Sequence, residues 1–232
     1  MKIGLIGKGK MGRLIESLAV EHGHEVAASI DAAFAARGAD ELSAMLKGID
    51  VVIDFSGAEA VKRNVEACML AGVPLVEGTT GWNEQRTEIE SIVSEHGGAM
   101  VFGSNFSIGV NLFYRVVDFA AELLARFPEY EAFIEEQHHS RKKDAPSGTA
   151  LKLNEIVSRH VQREYPVVAT RAGNIPGTHR VGFDGIADQI LLEHTARSRD
   201  GFALGAILAA QWVLGKTGFY EFGEVMEEVI GK

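Results

Sequence analysis

The sequence predicts an α/β fold with a parallel sheet in its first half, followed by a second unit of the α+β type. In residues 2–101, short runs rich in β-branched residues alternate with segments of helical periodicity, a pattern typical of a parallel sheet with crossover helices. After Asn105 the alternation stops, and a long helical pattern precedes strand-like segments, a polar loop and another helix. We therefore place a boundary near Ile108.

The first half is predicted to alternate strand and helix throughout. Its strands are IGLIG, EVAASI, DVVIDF, PLVEG and AMVF. The first helix has an apolar face, made by Met11, Leu14, Ile15, Leu18 and Ala19, which we expect to pack on the sheet. A later helix repeats this spacing at Val61, Val65, Cys68 and Met69. We therefore interpret Cys68 as a core residue and not as a nucleophile.

The second half begins with a helical pattern over residues 109–126, followed by the strand-like FIEEQ. The longest apolar stretch, residues 202–215, is interrupted by Gln211 and is shorter than the roughly 20 residues that a membrane span requires. We interpret it as a buried helix.

Composition restricts the class of protein. With 232 residues, 46% of them hydrophobic and 24% charged, the chain is not of disordered composition. The 23 Lys and Arg residues against 32 Asp and Glu residues give a formal net charge of −9, which argues against a general electrostatic grip on nucleic acid or anionic lipid. An anionic ligand would therefore need a local basic pocket.

Two features concern the cellular compartment. The single cysteine, Cys68, cannot form an intrachain disulfide, which fits a reducing compartment, and we expect a cytoplasmic protein. Only residues 3–7 separate Lys2 from Lys8, whereas a signal peptide needs about 7 to 15 apolar residues, so we expect no secretory leader.

A glycine loop follows the first strand. Gly7, Gly9 and Gly12 form GxGxxG at the head of the first helix, where small residues let the backbone approach a pyrophosphate. Asp31 ends the next strand, nineteen residues after Gly12, where a ribose-binding acid belongs. This context predicts a Rossmann-type dinucleotide-binding domain. The alternative is a tight turn in a flavodoxin-like domain that binds nothing, in which Asp31 merely caps a helix.

The same loop bears on the choice of dinucleotide. Asp31 would accept hydrogen bonds from both ribose hydroxyls and repel a 2′-phosphate, which favours NADH. Lys8, Lys10 and Arg13 either supply positive charge for a 2′-phosphate or are ordinary solvated residues. We predict that NADH is preferred and NADPH tolerated.

The densest set of chemically active residues lies between Gln137 and Ala150. It comprises His138, His139, Arg141, Lys142, Lys143, Asp144, Pro146, Ser147, Gly148 and Thr149. Ser147 is well placed as the N-cap of the next helix, whose first-turn amides would bind a carboxylate. With Lys142, Lys143 and a histidine nearby, this predicts a site for a small polycarboxylate and a side chain that gives a proton near neutral pH.

This segment has two other interpretations. His138 and His139 are neighbours in an extended segment and point to opposite sides, and no HxxxH or CxxC spacing accompanies them, so we predict no metal. The segment could also be a solvated basic loop followed by an ordinary capped helix.

The stretch EEQHHSRKKDAPSGTA closely resembles the signature of the dihydrodipicolinate reductase family, also called 4-hydroxy-tetrahydrodipicolinate reductases, from the diaminopimelate route to lysine. Five further stretches resemble the family in the same order: DVVIDFS, VEGTTGW, SNFSIGVN, RAGNIPGTH and SRDGFALGA. Together they span nearly the whole chain.

The resemblance implies a nucleotide domain formed by residues 1–107 with 203–232, and a substrate-binding and oligomerisation domain formed by residues 108–202. The second domain would contain a mixed sheet that builds a homotetramer, and the active site would lie between the domains. The implied reaction is the NAD(P)H-dependent reduction of 4-hydroxy-tetrahydrodipicolinate, in which hydride reaches carbon 4, the hydroxyl leaves as water and carbon 3 is protonated.

The resemblance also assigns residues. His138 corresponds to the family's proton donor and Lys142 to its catalytic lysine. The residues that bind the two carboxylates of the substrate correspond to His139, Lys142, Ser147, Gly148 and Thr149. The adenine side of the cofactor site corresponds to Gly7, Lys8, Gly9, Met11, Gly12 and Asp31. The nicotinamide side corresponds to Gly78, Thr79, Thr80, Ser104, Asn105 and Phe106.

Two departures from the family's pattern concern the cofactor. The loop is GxGxxG where most relatives have GxxGxxG, and residues 32–48 form a shorter stretch than usual beside the adenosine pocket. Two further functions stay open on the residues alone: another reductase of amino-acid metabolism, such as an aspartate dehydrogenase-like enzyme, and a nucleotide-sensing protein without turnover.

Overall fold

The computed structural model describes residues 1–31 and 37–231. Residue 232, at the end of the predicted nucleotide domain, and residues 32–36, in the short stretch 32–48, lie outside this range. The chain divides into two compact units, Met1–Ile108 with Asp200–Lys232, and Gly109–Arg199.

The elements follow in chain order. The strands are β1 (Lys2–Ile6), β2 (Glu25–Ile30), β3 (Val51–Asp54), β4 (Leu75–Glu77), β5 (Ala99–Phe102), β6 (Glu131–His138), β7 (Val167–Arg171), β8 (Thr178–Asp184), β9 (Gln189–Thr195) and β10 (Gly218–Glu221). The helices are α1 (Lys10–Glu21), α2 (Ala39–Met45), α3 (Val61–Ala71), α4 (Arg86–Glu95), α5 (Ile108–Leu124), α6 (Gly148–His160), α7 (Asp200–Trp212) and α8 (Phe222–Ile230).

The first unit contains a six-stranded parallel sheet in the order β10-β5-β4-β3-β1-β2. Alternate residues of β3 enter different cores: Val51 and Ile53 pack with α1, α7 and α8, whereas Val52 packs with α2, α3 and α4. Coverage on both faces explains why β3 and β5 are buried throughout. The predicted parallel α/β fold is confirmed.

Helix packing in this unit follows the predicted faces. Ile15 and Ala19 of α1 are fully buried in the core that α1 shares with α7, and Cys68 of α3 is fully buried on the opposite side of the sheet. The apolar stretch of residues 202–215 contributes α7, whose alanines at 203, 206, 209 and 210 are inaccessible to solvent. Across the described ranges, no helix is long and apolar enough to cross a membrane.

The second unit contains a four-stranded mixed sheet in the order β7-β6-β8-β9, with β6 parallel to β7 and antiparallel to β8. One face packs against α5 and α6 around a core that includes Phe113, Leu153, Ile134 and Phe183. Residues of β6 alternate between this buried face and a partly exposed face, which decides where the side chains at the end of the strand point.

Candidate active site

Two ionisable side chains lie on the buried face at the end of β6. Glu136 and His138 are two residues apart, so the pleat of the strand places them on the same side. Glu136 is 1% exposed and His138 is 9% exposed. His139, the next residue, lies just after the strand and is half-buried.

The carboxylate of Glu136 has a complete set of hydrogen-bond partners. Arg171 donates to both oxygens, from Nη1 to Oε2 at 3.0 Å and from Nη2 to Oε1 at 2.6 Å. The backbone N–H of Ser147 donates to Oε1 at 3.1 Å, and His138 Nδ1 contacts Oε2. Burial alone would raise the pKa of Glu136, but these donors hold the pKa below its ordinary value.

This carboxylate fixes the state of His138. With Glu136 ionised, Nδ1 of His138 must carry a proton, which leaves Nε2 as the nitrogen that gains and loses one. Burial lowers the pKa of His138, Glu136 opposes that effect, and the charges of Lys142 and Arg171 lower it further. Gly177 lies beside the ring: a Cβ on that glycine would come within 3.1 Å of Nε2.

A second histidine completes the buried cluster. His179 on β8 lies with its ring 5.1 Å from that of His138, in an edge-to-face arrangement, and its Nε2 is 3.2 Å from Ser147 Oγ. Burial is the largest cause that lowers the pKa of His179, to about 4, so this ring is neutral at neutral pH.

Ser147 joins the cluster to α6. It is the N-cap of the helix, as predicted, and its Oγ accepts a hydrogen bond from the N–H of Ala150 at 3.2 Å. Thr149 in the first turn hydrogen-bonds Tyr114 of α5, and burial raises the pKa of that tyrosine to about 12. The helix start is therefore held from both sides.

The loop between β6 and α6 carries the predicted basic residues. Lys142 Nζ is 2.9 Å from Asp144 Oδ1, and this ion pair is the main cause that lowers the pKa of Asp144. The charge of Lys142 also lowers the pKa of His138 and of His179, so it acts on the buried cluster. Lys143 is exposed, and Arg141 hydrogen-bonds Asn174 at 3.1 Å.

Sequence reasoning missed three members of this cluster: Glu136, Arg171 and His179. All three stand in stretches that resemble the family, but none was given a role. The period-two pattern of β6 could have paired Glu136 with His138. Arg171 and His179 come from the strands on either side, where Arg171 is in register with His138 and His179 with Glu136, and that pairing is a tertiary feature.

Ligand atoms of Glu136, His138 and His179 lie within 4.8 Å of one another, a spacing that a metal ion could use. However, each oxygen of Glu136 already accepts two hydrogen bonds, and the guanidinium of Arg171 takes the place that a cation would need. The bonding pattern therefore favours proton transfer over metal binding, and the absence of a metal stays a prediction.

In the first unit, the glycine loop fits a pyrophosphate. Gly7 has φ +93°, and a Cβ there would run into the backbone carbonyl of Phe55. A Cβ on Gly12 would run into the carbonyl of Gly7, whereas Gly9 has open space around it and caps α1 without a side chain. A tight turn, an open approach and close helix packing are the three requirements of a dinucleotide loop.

Asp31 directly follows β2, whose last residue, Ile30, accepts the N–H of Gly7 at 2.9 Å.

The residues predicted for the nicotinamide side follow β4 and β5, and the carboxyl ends of parallel strands share one edge of the sheet. Thr79 Oγ1 accepts the N–H of Ser56 at 3.1 Å, and Asn105 Oδ1 accepts that of Ser107 at 2.9 Å. Phe106 is 2% exposed and its ring packs against Phe222, so this residue belongs to the core of the first unit.

A parallel sheet with a dinucleotide loop, together with a buried carboxylate–histidine pair beside a capped helix, defines the class of a dinucleotide-dependent oxidoreductase. The model for the N-terminus of dihydrodipicolinate reductase matches residues 1–106, and the model for its C-terminus matches residues 109–226. The chain belongs to the dihydrodipicolinate reductase family.

Relatives and solved structures agree with this membership. The 4-hydroxy-tetrahydrodipicolinate reductase of Christiangramia forsetii is 34% identical over 241 residues, covering 99% of each chain. That of Archaeoglobus fulgidus is 36% identical over 262 residues, covering 98% of this chain and all of its own. The dipicolinate-bound dihydrodipicolinate reductase from Paenisporosarcina sp. TG-14 shares the fold, with a TM-score of 0.77 at 20% identity, over 97% of this chain and 99% of its own.

These comparisons confirm the predicted family, fold class and class of enzyme. The family comprises 4-hydroxy-tetrahydrodipicolinate reductases of diaminopimelate and lysine biosynthesis, which use a nicotinamide dinucleotide.

Proposed function

We propose that the chain reduces 4-hydroxy-tetrahydrodipicolinate to tetrahydrodipicolinate, with His138 as the proton donor. The observation that carries this proposal is the buried Glu136–His138 pair next to the capped start of α6. It supplies a proton donor and a carboxylate-binding helix end within one segment. Relatives that span the whole chain act on this substrate by name, and a relative of the same fold binds dipicolinate, a dicarboxylate.

The two substrate carboxylates would be met by Lys142, His139 and the first turn of α6. Ser147, Gly148 and Thr149 lie at the positive end of the helix, where an anion is stabilised by the macrodipole and by backbone N–H groups. Arg171 is committed to Glu136, which engages both of its terminal nitrogens. Neutralised carboxylates leave the ring less electron-rich and more open to hydride.

His138 would protonate carbon 3 from Nε2. Glu136 holds the ring by Nδ1 and stabilises the imidazolium from which the proton leaves. The two negative charges of the substrate favour the protonated ring and so oppose the burial that lowers its pKa. When bound, the dinucleotide supplies the hydride that reaches carbon 4.

The dinucleotide would be held by the glycine loop and by the strand ends of the first unit. The adenine side would contact Gly7, Lys8, Gly9, Met11, Gly12 and Asp31. The nicotinamide side would contact Gly78, Thr79, Thr80, Ser104, Asn105 and Phe106. We propose that NADH is preferred over NADPH because a carboxylate at position 31 repels a 2′-phosphate.

Asp31→Ala should shift the preference toward NADPH. The variant loses charge-assisted hydrogen bonds to the ribose and the repulsion of a 2′-phosphate, so the NADPH to NADH ratio of kcat/KM should rise roughly 10- to 100-fold. Steady-state kinetics with both cofactors measure the ratio. Glu90→Ala, which removes a carboxylate from an exposed position on α4, is the control and should leave the ratio unchanged. A fixed ratio in Asp31→Ala would mean that the ribose is held elsewhere.

Lys142→Ala should weaken both substrate binding and turnover. A lysine that contacts the substrate in the ground and transition states affects KM and kcat together, and the loss of one charge-assisted contact predicts a fall in kcat/KM of roughly 10- to 100-fold. Lys143→Ala removes the same charge from the adjacent, exposed position and serves as the matched control. Unchanged kinetics in Lys142→Ala would show that this lysine does not touch the substrate.

The activity itself is tested by oxidation of NADH and NADPH in parallel, with the substrate made in the cuvette by the preceding synthase. Rapid oxidation that depends on the substrate supports the proposal. Binding of NADH without oxidation would contradict it and would favour a nucleotide sensor or a reductase of another small acid.

We also propose a cytoplasmic homotetramer built through the second unit. Apolar side chains on its sheet are half exposed, at Val168 and Leu191. A stripe along one face of α5 is exposed as well, at Leu112, Val116, Phe119 and Leu123. Patches of this kind are typical of subunit interfaces. The buried, unpaired Cys68 fits a reducing cytoplasm.

A further inference from the structure

The first unit buries two acidic side chains that the proposed reaction does not use. Asp54 ends β3 and Glu77 ends β4, and the two residues are register partners in adjacent parallel strands. Both are completely inaccessible to solvent. Because neighbouring residues in register point to the same face of a sheet, the two carboxyl groups lie side by side and within hydrogen-bonding range of each other.

The hydrogen bonds of this pair leave one oxygen without a donor. Asp54 accepts the N–H of Ser56 on Oδ1 at 2.8 Å and the side-chain amide of Asn64 on Oδ2 at 2.6 Å. Glu77 Oε1 accepts the N–H of Thr79 at 2.7 Å, but Glu77 Oε2 is buried with no hydrogen-bond partner among the described residues. An ionised oxygen in this state would be very unfavourable. A proton on Glu77 would resolve the problem, because a protonated carboxyl group donates and the Asp54 carboxylate in register beside it can accept.

Among the residues that the structure describes, no positive charge acts on the pair to keep both groups ionised. The strands on either side place Ile6 and Phe102 in register with the pair, and both are apolar. From α3 the facing titratable group is the buried thiol of Cys68, while Arg63 hydrogen-bonds the far side of Asn64 at 2.7 Å. Burial raises the pKa of Asp54 and, together with the charge of Asp54, raises that of Glu77 well above its ordinary value. Adjacent buried carboxyl groups cannot both be charged.

We propose that Asp54 and Glu77 share one proton, and that this proton holds together the two loops that follow them, residues 55–57 and 78–80. Each acid accepts the N–H two residues further on, at Ser56 and Thr79, and Ser56 N–H also reaches Thr79 Oγ1 at 3.1 Å. The carboxyl pair is thus the base of a connected unit that includes both loops. The link to cofactor binding rests on the proposed function, in which residues 78–80 contact the nicotinamide. The shared proton itself does not depend on that function.

The shared proton decides whether stability rises or falls with pH. An acid whose pKa is higher in the folded chain than in the unfolded chain contributes stability at low pH, and this contribution is lost as pH rises through the folded pKa. Ionisation of Glu77 would place two negative charges side by side and loosen the loops. If only the protonated pair binds NADH, its Kd should rise about ten-fold for each pH unit above the ionisation.

The test compares the full chain with Glu77→Gln, whose amide donates to Asp54 at every pH. Infrared spectroscopy should detect a protonated-carboxyl C=O band at neutral pH in the unchanged chain and show its loss in the variant. Fluorescence titration of NADH should show an alkaline rise in Kd that the variant lacks, and calorimetry should show the matching alkaline fall in Tm. Glu90→Gln, an exposed change on α4, is the matched control and should behave as the unchanged chain.

Absence of the acid band at neutral pH would overturn the shared proton. If the acid band is present but NADH binding has the same pH dependence in the unchanged chain and in Glu77→Gln, the proposal that the proton holds the two loops together would be overturned. If Glu77→Gln folds poorly, the unchanged chain and Glu90→Gln still decide whether the proton is shared. In both chains the acid band should be present at neutral pH and should disappear over the same alkaline range in which Tm falls. Failure of turnover with intact, pH-dependent NADH binding counts against the proposed reaction alone.

Discussion

His138→Gln is expected to lower kcat by about 10² to 10⁴, the usual contribution of a positioned general acid. The affinity for NADH should not change, because the substitution lies in the second unit and removes only the group that we propose as the proton donor. Steady-state rates with the synthase-generated substrate measure the first effect, and fluorescence titration of NADH measures the second.

The control for this variant is His96→Gln, the same chemical change at an exposed histidine that follows α4. It should keep full activity. If His138→Gln loses less than ten-fold in kcat, another group protonates carbon 3, and the pairing of His138 with Glu136 must serve structure instead.

Glu136→Gln is expected to lower kcat by roughly 10² or more, because we propose that Glu136 acts through His138. Glutamine can donate to Nδ1 of His138 and so favour the wrong tautomer, and it cannot stabilise the imidazolium. It also removes the charge of the buried carboxylate that pairs with Arg171, which should reduce the free energy of unfolding by about 3 to 5 kcal/mol.

The pH profile of kcat/KM distinguishes a Glu136 that positions His138 from a Glu136 that only stabilises the fold. Glu136 raises the pKa of His138 against the effect of burial, so its removal should move the alkaline limb of kcat/KM to lower pH. Glu135→Gln, one residue earlier on the partly exposed face, changes the same chemistry and should move neither the limb nor the stability by much. A loss of stability with an unmoved pH profile would reduce Glu136 to a structural residue.

Local patterns sufficed to predict most of the first unit. The spacing of Met11, Ile15 and Ala19 gave the buried face of α1, and the buried position of Cys68 followed from the same periodicity in α3. The sequence reasoning did not identify β10, because its four residues pair with β5, which lies more than a hundred residues earlier. A contact of that length leaves no periodic signal in either segment.

The candidate site was only partly predictable for the same reason. His138, Lys142 and Ser147 stand in one contiguous segment, so their residue types and spacing can be interpreted directly. Arg171 and His179 reach Glu136 and Ser147 through strand register, which depends on how β7 and β8 pair with β6. The Asp54–Glu77 pair was missed because two acids in separate apolar strands look like strand ends until the sheet places them side by side.

Gly177 has no side chain, yet its backbone borders the ring that we assign as the proton donor. Its φ of +138° is a conformation that other residues rarely adopt, and any Cβ would come within 3.1 Å of His138 Nε2. In a library that randomises this position under selection for activity, glycine alone should survive. Mutational tolerance would then rank residue 177 with the catalytic residues, although it contributes only the space in which the imidazole works.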